Sequence, residues 1–231
     1  MNIVKSEKTP IASISGSYGY AWQQMGKHFL YFLIVVLFLG IADSPLTGLR
    51  VEEPEFFSTN IFLIILATAY MFLVLPVLKF GGDLIFLRGI RNEKMDITEL
   101  FLGFKENYVS IILASLITTT LIGIAFLFLI IPGIILAVRL CFVSFLVMDK
   151  KMEPIAAIEK SWAMTRGYGW KIFGMGILAI PVFIVGLLFC VVGVFVSFIW
   201  ISAAFAAMYY AIDHKEQEEL AADNQLGSAP R

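Results

Sequence analysis

Residues Ile172–Ile212 read IFGMGILAIPVFIVGLLFCVVGVFVSFIWISAAFAAMYYAI, an unbroken run of 41 residues without a charged side chain. A helix that crosses about 30 Å of hydrocarbon needs roughly 20 mostly apolar residues. The run is therefore too long for one membrane span and long enough for two. Pro181, Gly186 and Gly193 interrupt it, and we place the turn between its two spans near Gly186–Gly193.

Four further apolar runs lie upstream and complete a set of six candidate spans. We predict these four spans at His28–Ala42, Asn60–Phe80, Tyr108–Ile130 and Ile134–Met148. Pro132 and Gly133 separate the third run from the fourth. We interpret this pair as a tight hairpin break, because proline removes a backbone donor and glycine tolerates a turn.

The composition supports the same fold class. Of the 231 residues, 59% are hydrophobic and 15% are charged, against about 45–50% and about 25% in soluble domains. A chain this short cannot hide so much apolar surface in one aqueous core. The sequence therefore predicts an all-α integral membrane protein. Residues 1–215 would form a single six-helix transmembrane domain, and residues 216–231 a polar, disordered tail.

Charge and cysteine usage exclude several classes of partner and cofactor. The net charge of −1 provides no basic field of the kind that binds nucleic acid, so we expect no nucleic-acid partner. Cys141 and Cys190 both lie inside apolar runs. They are typical of small buried hydrophobic residues, not of a disulfide or a metal pair. We expect no metal and no other cofactor.

The basic residues of the connections predict the orientation in the membrane. Cytoplasmic loops are enriched in Lys and Arg. Thirteen basic residues fall in the N-terminal segment and in the second and fourth connections, whereas Arg50 is alone in the first, beside Asp43, Glu52, Glu53 and Glu55. Both termini should therefore be cytoplasmic. The thirteen are Lys5, Lys8, Lys27, Lys79, Arg88, Arg91, Lys94, Lys105, Lys150, Lys151, Lys160, Arg166 and Lys171.

The stretches before the first, third and fifth spans resemble one another. They read SYGYAWQQMGKHFLYFL, ITELFLGFKENYVSIIL and AIEKSWAMTRGYGWKIF, and each carries an aromatic residue (Trp22, Phe101 and Trp162) before a polar or glycine break. Asp96 can cap the second of these helices. The pattern predicts three hairpins, each preceded by a short interfacial amphipathic helix. The alternative is that aromatic residues simply collect at membrane interfaces.

Arg139 is the most informative single residue, because it lies inside the predicted fourth span. An intramembrane Arg is costly and normally faces protein or water. It either binds an anionic headgroup or solute, or it snorkels and bonds carbonyl groups near the hairpin break. Asp83, just after the second span, is a possible partner. Trp162, Arg166, Trp170 and Lys171 form an aromatic–basic cluster that suits lipid headgroups or simple interfacial anchoring.

The stretch IPGIILAVRLCFVSFLVMDKKMEPIAAIEKSWAMTRGYGWKIFG resembles a known bacterial family. It is similar to the membrane domain of some bacterial glycerophosphoryl diester phosphodiesterases and to related stand-alone bacterial membrane proteins of unknown function. The resemblance rests on Pro132–Gly133, Arg139, Asp149 and a helix with Ser161 and Trp162. Ala157, Thr165, Gly167 and the LFLGF segment at Leu100–Phe104 also fit. The resemblance implies a six-helix membrane domain without the phosphodiesterase activity, which belongs to a separate soluble domain.

No catalytic motif is present in the sequence, and His28 and His214 stand alone at opposite ends of the chain. We therefore expect a non-enzymatic bacterial protein of the cytoplasmic (inner) membrane, which contacts membrane lipids or a membrane partner, including a second copy of itself. The alternative function is a small-solute or ion transporter or channel with an aqueous path near Arg139.

Overall fold

The computed structural model of this chain describes residues 10–47 and 61–227. Several residues used to predict the orientation therefore lie outside the described part: Lys5, Lys8, Arg50, Glu52, Glu53 and Glu55. The side chain of Cys190 is also outside it, whereas Cys141 is a free, half-buried thiol.

Helices make up almost all of the described chain, and no strand occurs in it. A 3₁₀ helix spans Ile97–Phe101. The α-helices are α1 Ile14–Thr47, α2 Ile61–Leu73, α3 Leu75–Ile90, α4 Leu102–Lys105, α5 Tyr108–Phe128, α6 Ile130–Leu140, α7 Val143–Asp149, α8 Pro154–Met164, α9 Gly169–Leu188 and α10 Cys190–Gly227.

Six stretches of the described residues are long and apolar enough to cross a membrane, which confirms a multi-pass, all-α membrane protein. Most of the side chains in these stretches are not buried inside the protein, and α2 buries none at all. Lipid is the solvent that such surfaces require. The six stretches are Ile14–Asp43, Ile61–Ile90, Tyr108–Phe128, Ile130–Asp149, Gly169–Leu188 and Val192–Asn224.

The first span is longer than predicted. Helix α1 begins at Ile14 and not at His28, where it is kinked (φ −117°, ψ 20°). The polar residues of its first half face protein: Ser17 and Gln24 are buried, and the Ser17 hydroxyl donates to the sulfur of Met208 at 3.4 Å. The non-helical backbone at His28 divides α1 into two helices at the residue where the first span was predicted to begin. The placement of the first of these helices in the membrane interface stays a prediction.

The second span corrects the predicted position of Lys79. The helix is interrupted at Val74, and α3 then continues to Ile90, ten residues beyond the predicted end at Phe80. Lys79 Nζ lies 3.3 Å from a carboxylate oxygen of Asp43, at the far end of α1. These two residues were predicted on opposite sides of the membrane. The assignment of Lys79 to a cytoplasmic connection is therefore wrong.

The break between the third and fourth spans lies at Leu129, whose backbone is extended (φ −159°, ψ 142°). Pro132 and Gly133 belong to the first turn of α6, where proline costs little because its missing N–H would have no helical partner. Gly133 is buried against the ring of Phe126, and an added methyl group would overlap that ring. The pair therefore follows the break and does not form it.

The last two spans separate where predicted, since α9 ends at Leu188 and α10 begins at Cys190. Gly186 and Gly193 face each other across this turn so closely that a β-carbon on either would overlap the other's carbonyl oxygen. The disordered tail predicted from residue 216 is instead helical as far as Gly227, and residues 228–231 lie outside the described part.

Ion pairs join several elements at one end of the bundle, which we call the charged end. Arg91 follows α3, Asp149 ends α7 and Asp213 lies in α10. Arg91 donates to both Asp149 oxygens at 2.5 and 2.8 Å and lies 3.8 Å from Asp213. Lys150 pairs with Asp213. The 3₁₀ helix and α8 lie next to this end, and Asp96 caps the 3₁₀ helix as predicted, accepting from the N–H of Thr98 at 2.9 Å.

Candidate functional site

Arg139 lies on the last turn of α6, just before the interruption at Cys141 and Phe142 that separates α6 from α7. The side chain is half-buried and turns toward the connection between α8 and α9. Its backbone carbonyl accepts from the Ser161 hydroxyl at 2.8 Å, which ties α6 to α8.

The guanidinium of Arg139 has few protein partners. Nη1 lies 3.5 Å from the Thr165 hydroxyl oxygen, at the limit of a hydrogen bond. Cζ lies 5.5 Å from the centre of the Trp162 ring, within the range of a cation–π contact. Within residues 10–47 and 61–227, no carboxylate lies within 4.0 Å of Arg139 and no other acceptor takes a hydrogen bond from its side chain. Most of its five donors are therefore available to a ligand.

A groove of about 570 Å³ opens beside this guanidinium, between α6 and α9. We call it the Arg139 groove. Its walls are almost entirely apolar, and Arg139 supplies the charge. Gly167 has a positive φ of 81° with nothing within 4 Å of its β position, and Gly169 approaches Arg139 Cζ. The lining residues are Ile131, Ile134, Ile135, Val138, Arg139, Gly167, Gly169, Trp170 and Phe173.

The structure brings together part of the predicted cluster. Trp162 stacks near Arg139, and Trp170 lines the groove with 84% of its surface exposed. Arg166 and Lys171 do not line it: Arg166 is exposed, while Lys171 donates to the Ala12 carbonyl at 3.0 Å. Both are nevertheless close in sequence to Gly167 and Gly169, which line the groove.

Asp83 is not the partner of Arg139, so that prediction is wrong. Its neighbours are instead Ser144 of α7 and Lys79, one turn earlier in α3. Sequence reasoning also missed Thr165 and Tyr168 as side chains that contact the basic residues. Thr165 is buried at the C-terminal end of α8, and the signal that could have located it is the turn with Gly167 that follows.

Two other features are less suited to ligands. The ionic cluster of Arg91, Asp149, Lys150 and Asp213 balances its own charges, and Tyr209 donates to Asp149 at 3.2 Å. Burial opposes the charge on Arg91, but the hydrogen bond and the charge of Asp149 outweigh it and raise the pKa of Arg91. A second groove of about 720 Å³, between α9 and α10, is lined without any charged side chain.

No protein-family model, curated protein or solved structure matches this chain. The Arg139 groove combines one guanidinium with apolar walls. A fixed guanidinium recognises phosphate or carboxylate oxygens, and the isoleucine and aromatic walls accept hydrocarbon. No acid, base or nucleophile lines the groove beside the arginine.

Proposed function

We propose that this protein is a non-enzymatic bacterial inner-membrane protein that contacts anionic lipid through the Arg139 groove. One observation carries the proposal: a guanidinium within a membrane span has no carboxylate partner in the described chain and opens on an apolar groove. A charged side chain within a membrane span is costly unless it finds a compensating group. An anionic headgroup with acyl chains supplies both the charge and the apolar surface.

The membrane arrangement belongs to the same proposal. The three pairs of spans form hairpins. Two short segments lie in the headgroup layer with their apolar sides toward lipid. One segment is the 3₁₀ helix together with α4, and the other is α8. Both termini are cytoplasmic, because Lys and Arg collect at the charged end. The resemblance to the membrane domain of glycerophosphoryl diester phosphodiesterases fits this arrangement and adds no catalytic role.

Reconstitution with defined lipids tests the proposal. The purified protein is placed in bicelles with zwitterionic lipid alone or with added single-phosphate anionic lipid, and its thermal unfolding and retained lipid are measured. We expect anionic lipid to raise the unfolding temperature of the wild type. Arg139→Leu should lose most of this increase, because the leucine keeps the apolar contacts and removes the charge, while Arg139→Lys should keep part of it.

Lys94→Gln is the matched control, since it removes one exposed positive charge near the same end of the bundle and away from the groove. If anionic lipid stabilises wild type and Arg139→Leu equally, the groove is not the contact. If no class of lipid changes the thermal stability or the oligomeric state of the protein, the proposal that it contacts lipid is itself wrong.

The second candidate is a solute or ion path near Arg139. One observation favours it: the spans contain a line of polar groups, Asp43–Lys79 and Asp83–Ser144. The apolar walls of the Arg139 groove oppose it. Liposomes that conduct a small anion with wild type and lose the flux with folded Arg139→Leu would replace lipid contact as the function.

A further inference from the structure

Three side chains from the last turns of α8 contact Arg139 through three different parts of that residue. The Ser161 hydroxyl donates to its backbone carbonyl at 2.8 Å, the Trp162 ring centre lies 5.5 Å from its Cζ, and the Thr165 hydroxyl oxygen lies 3.5 Å from its Nη1. None of the three side chains carries a charge. They can therefore orient the guanidinium without neutralising it.

The contact with Ser161 holds the backbone from which the Arg139 side chain extends. Helix α6 ends at Leu140, so the Arg139 carbonyl is among the last four of the helix, which have no partner within it. The Ser161 hydroxyl supplies that partner, and Ser161 is fully buried. The start of the Arg139 side chain is thereby tied to α8.

The Thr165 hydroxyl is oriented to accept a hydrogen bond from Arg139. Its single proton is directed to the Ser161 carbonyl at 2.9 Å, with the Trp162 carbonyl at 3.1 Å. Only its lone pairs remain for Nη1, which is a donor. Because a bond to the carbonyl of the preceding turn already satisfies a buried threonine hydroxyl, the contact with Arg139 is not required to bury Thr165. The contact instead restricts where the guanidinium can lie.

These contacts leave one edge of the Arg139 guanidinium available. Nη1 contacts Thr165, whereas Nε and Nη2 donate to no acceptor in the described part of the chain. The N–H groups of Nε and Nη2 are parallel and match two oxygens of one phosphate group. Gly169 lies next to the guanidinium, with its β position 4.0 Å from Cζ, and has no side chain that could cover this edge.

We infer that Thr165 and Trp162 are positioning residues for the headgroup phosphate in the Arg139 groove. They hold the guanidinium so that its Nε–Nη2 edge meets two oxygens of that phosphate. Thr165 is fully buried and acts only through Arg139. This inference rests on the proposed function, because it assumes that anionic lipid binds Arg139. It adds the residues that determine how tightly the groove binds a phosphate.

The test removes only the Thr165 hydroxyl. Full-length wild type and Thr165→Val are placed in phosphatidylcholine nanodiscs with increasing phosphatidylglycerol, and bound phosphatidylglycerol is counted by native mass spectrometry. Valine keeps the shape of threonine without the hydroxyl, so we expect binding to weaken about fivefold, the effect of one hydrogen bond. Thr165→Ser keeps the hydroxyl and should bind nearly as tightly as the wild type.

Thr68→Val is the matched control. The Thr68 hydroxyl also donates to the carbonyl four residues earlier, that of Ile64 at 2.7 Å, but it lies on α2 and does not line the groove. This change should leave phosphatidylglycerol binding unaltered. In the Arg139→Leu background, Thr165→Val should cause no further loss, because a positioning residue acts only through the group that it positions.

Three results would overturn the inference. In the first, folded Thr165→Val binds phosphatidylglycerol as tightly as the wild type. In the second, Thr165→Ser binds as weakly as Thr165→Val. In the third, Thr165→Val causes the same loss with and without Arg139. If Thr165→Val does not fold, Trp162→Leu decides the inference: losing the ring contact should weaken binding about two- to fivefold, and unchanged binding overturns it.

The single variant Arg139→Leu separates failure of this inference from failure of the proposed function. If Arg139→Leu weakens phosphatidylglycerol binding while the Thr165 and Trp162 variants do not, the groove binds anionic lipid without positioning by α8. If Arg139→Leu binds phosphatidylglycerol as tightly as the wild type, the proposed function is wrong and the inference fails with it.

Discussion

Replacing Arg91 by methionine should destabilise the protein by about 3 kcal/mol, because the change leaves the largely buried carboxylate of Asp149 without its partner. Arg91 is 17% exposed, Asp149 14% and Asp213 4%. Removing one partner of a buried pair costs about 3–5 kcal/mol. We expect a cost at the lower end of this range, because Lys150 still neutralises Asp213 and only Asp149 is left without a counter-charge.

Equilibrium unfolding in mixed micelles, with a rising fraction of an anionic denaturing detergent and tryptophan fluorescence as the signal, measures this loss. The matched control is Lys151→Met, which breaks an exposed pair with Glu106 (61% and 46% exposed) and should cost about 1 kcal/mol or less. The double variant Arg91→Met with Asp149→Asn should recover much of the loss, since asparagine is neutral and still accepts from Tyr209. A loss with Arg91→Met no larger than with Lys151→Met would refute the reasoning.

Two further changes test other parts of the structure. Gly193→Ala should destabilise by about 1–3 kcal/mol, because its β-carbon would overlap the Gly186 carbonyl. Gly176→Ala, whose β position is open, should be close to neutral in the same unfolding assay. Burial raises the pKa of Glu99 above 4.5, and Arg88 only partly offsets this. The folded protein thus favours protonated Glu99, a contribution present below pH 4.5 and lost as pH rises through the raised pKa. The unfolding midpoint of wild type relative to Glu99→Gln should therefore fall across that range, and a constant difference would contradict the shift.

The number of spans was predictable because a helix that crosses the hydrocarbon needs about 20 mostly apolar residues. The mean hydropathy of a window of that length therefore identifies each span. The start of α1 was not predictable in this way. Ser17 and Gln24 look like residues outside the membrane, but they face α10 and the core, where protein and not lipid surrounds them. An average over a window does not distinguish a polar face toward protein from one toward water.

Partners across the bundle were also beyond the sequence. Lys79 was assigned to a loop because basic residues are typical of cytoplasmic loops. The sequence does not show that Lys79 pairs with Asp43, 36 positions earlier in the chain. Asp83 was a plausible partner for Arg139 by type alone, and only the packing of α3 on α7 assigns it to Ser144. The break at Leu129 was misplaced because proline and glycine suit both a turn and the first turn of the following helix.

The candidate site was predicted in part. Arg139 could be selected because a charged residue is unusual inside a membrane span. Trp162 could be selected because tryptophan is typical of the membrane interface. The groove itself depends on the turn at Gly167, on the bare backbone of Gly169 and on the distance between α6 and α9. None of these follows from the local pattern of either helix.

A structure determined in nanodiscs with anionic lipid tests the central claim most directly, because it shows what the Arg139 guanidinium contacts. We expect a phosphate group within about 3 Å of its nitrogens, with acyl chain density along Ile135 and Phe173. A protein carboxylate on Arg139, or a water-filled path through the groove without a headgroup, would contradict the account.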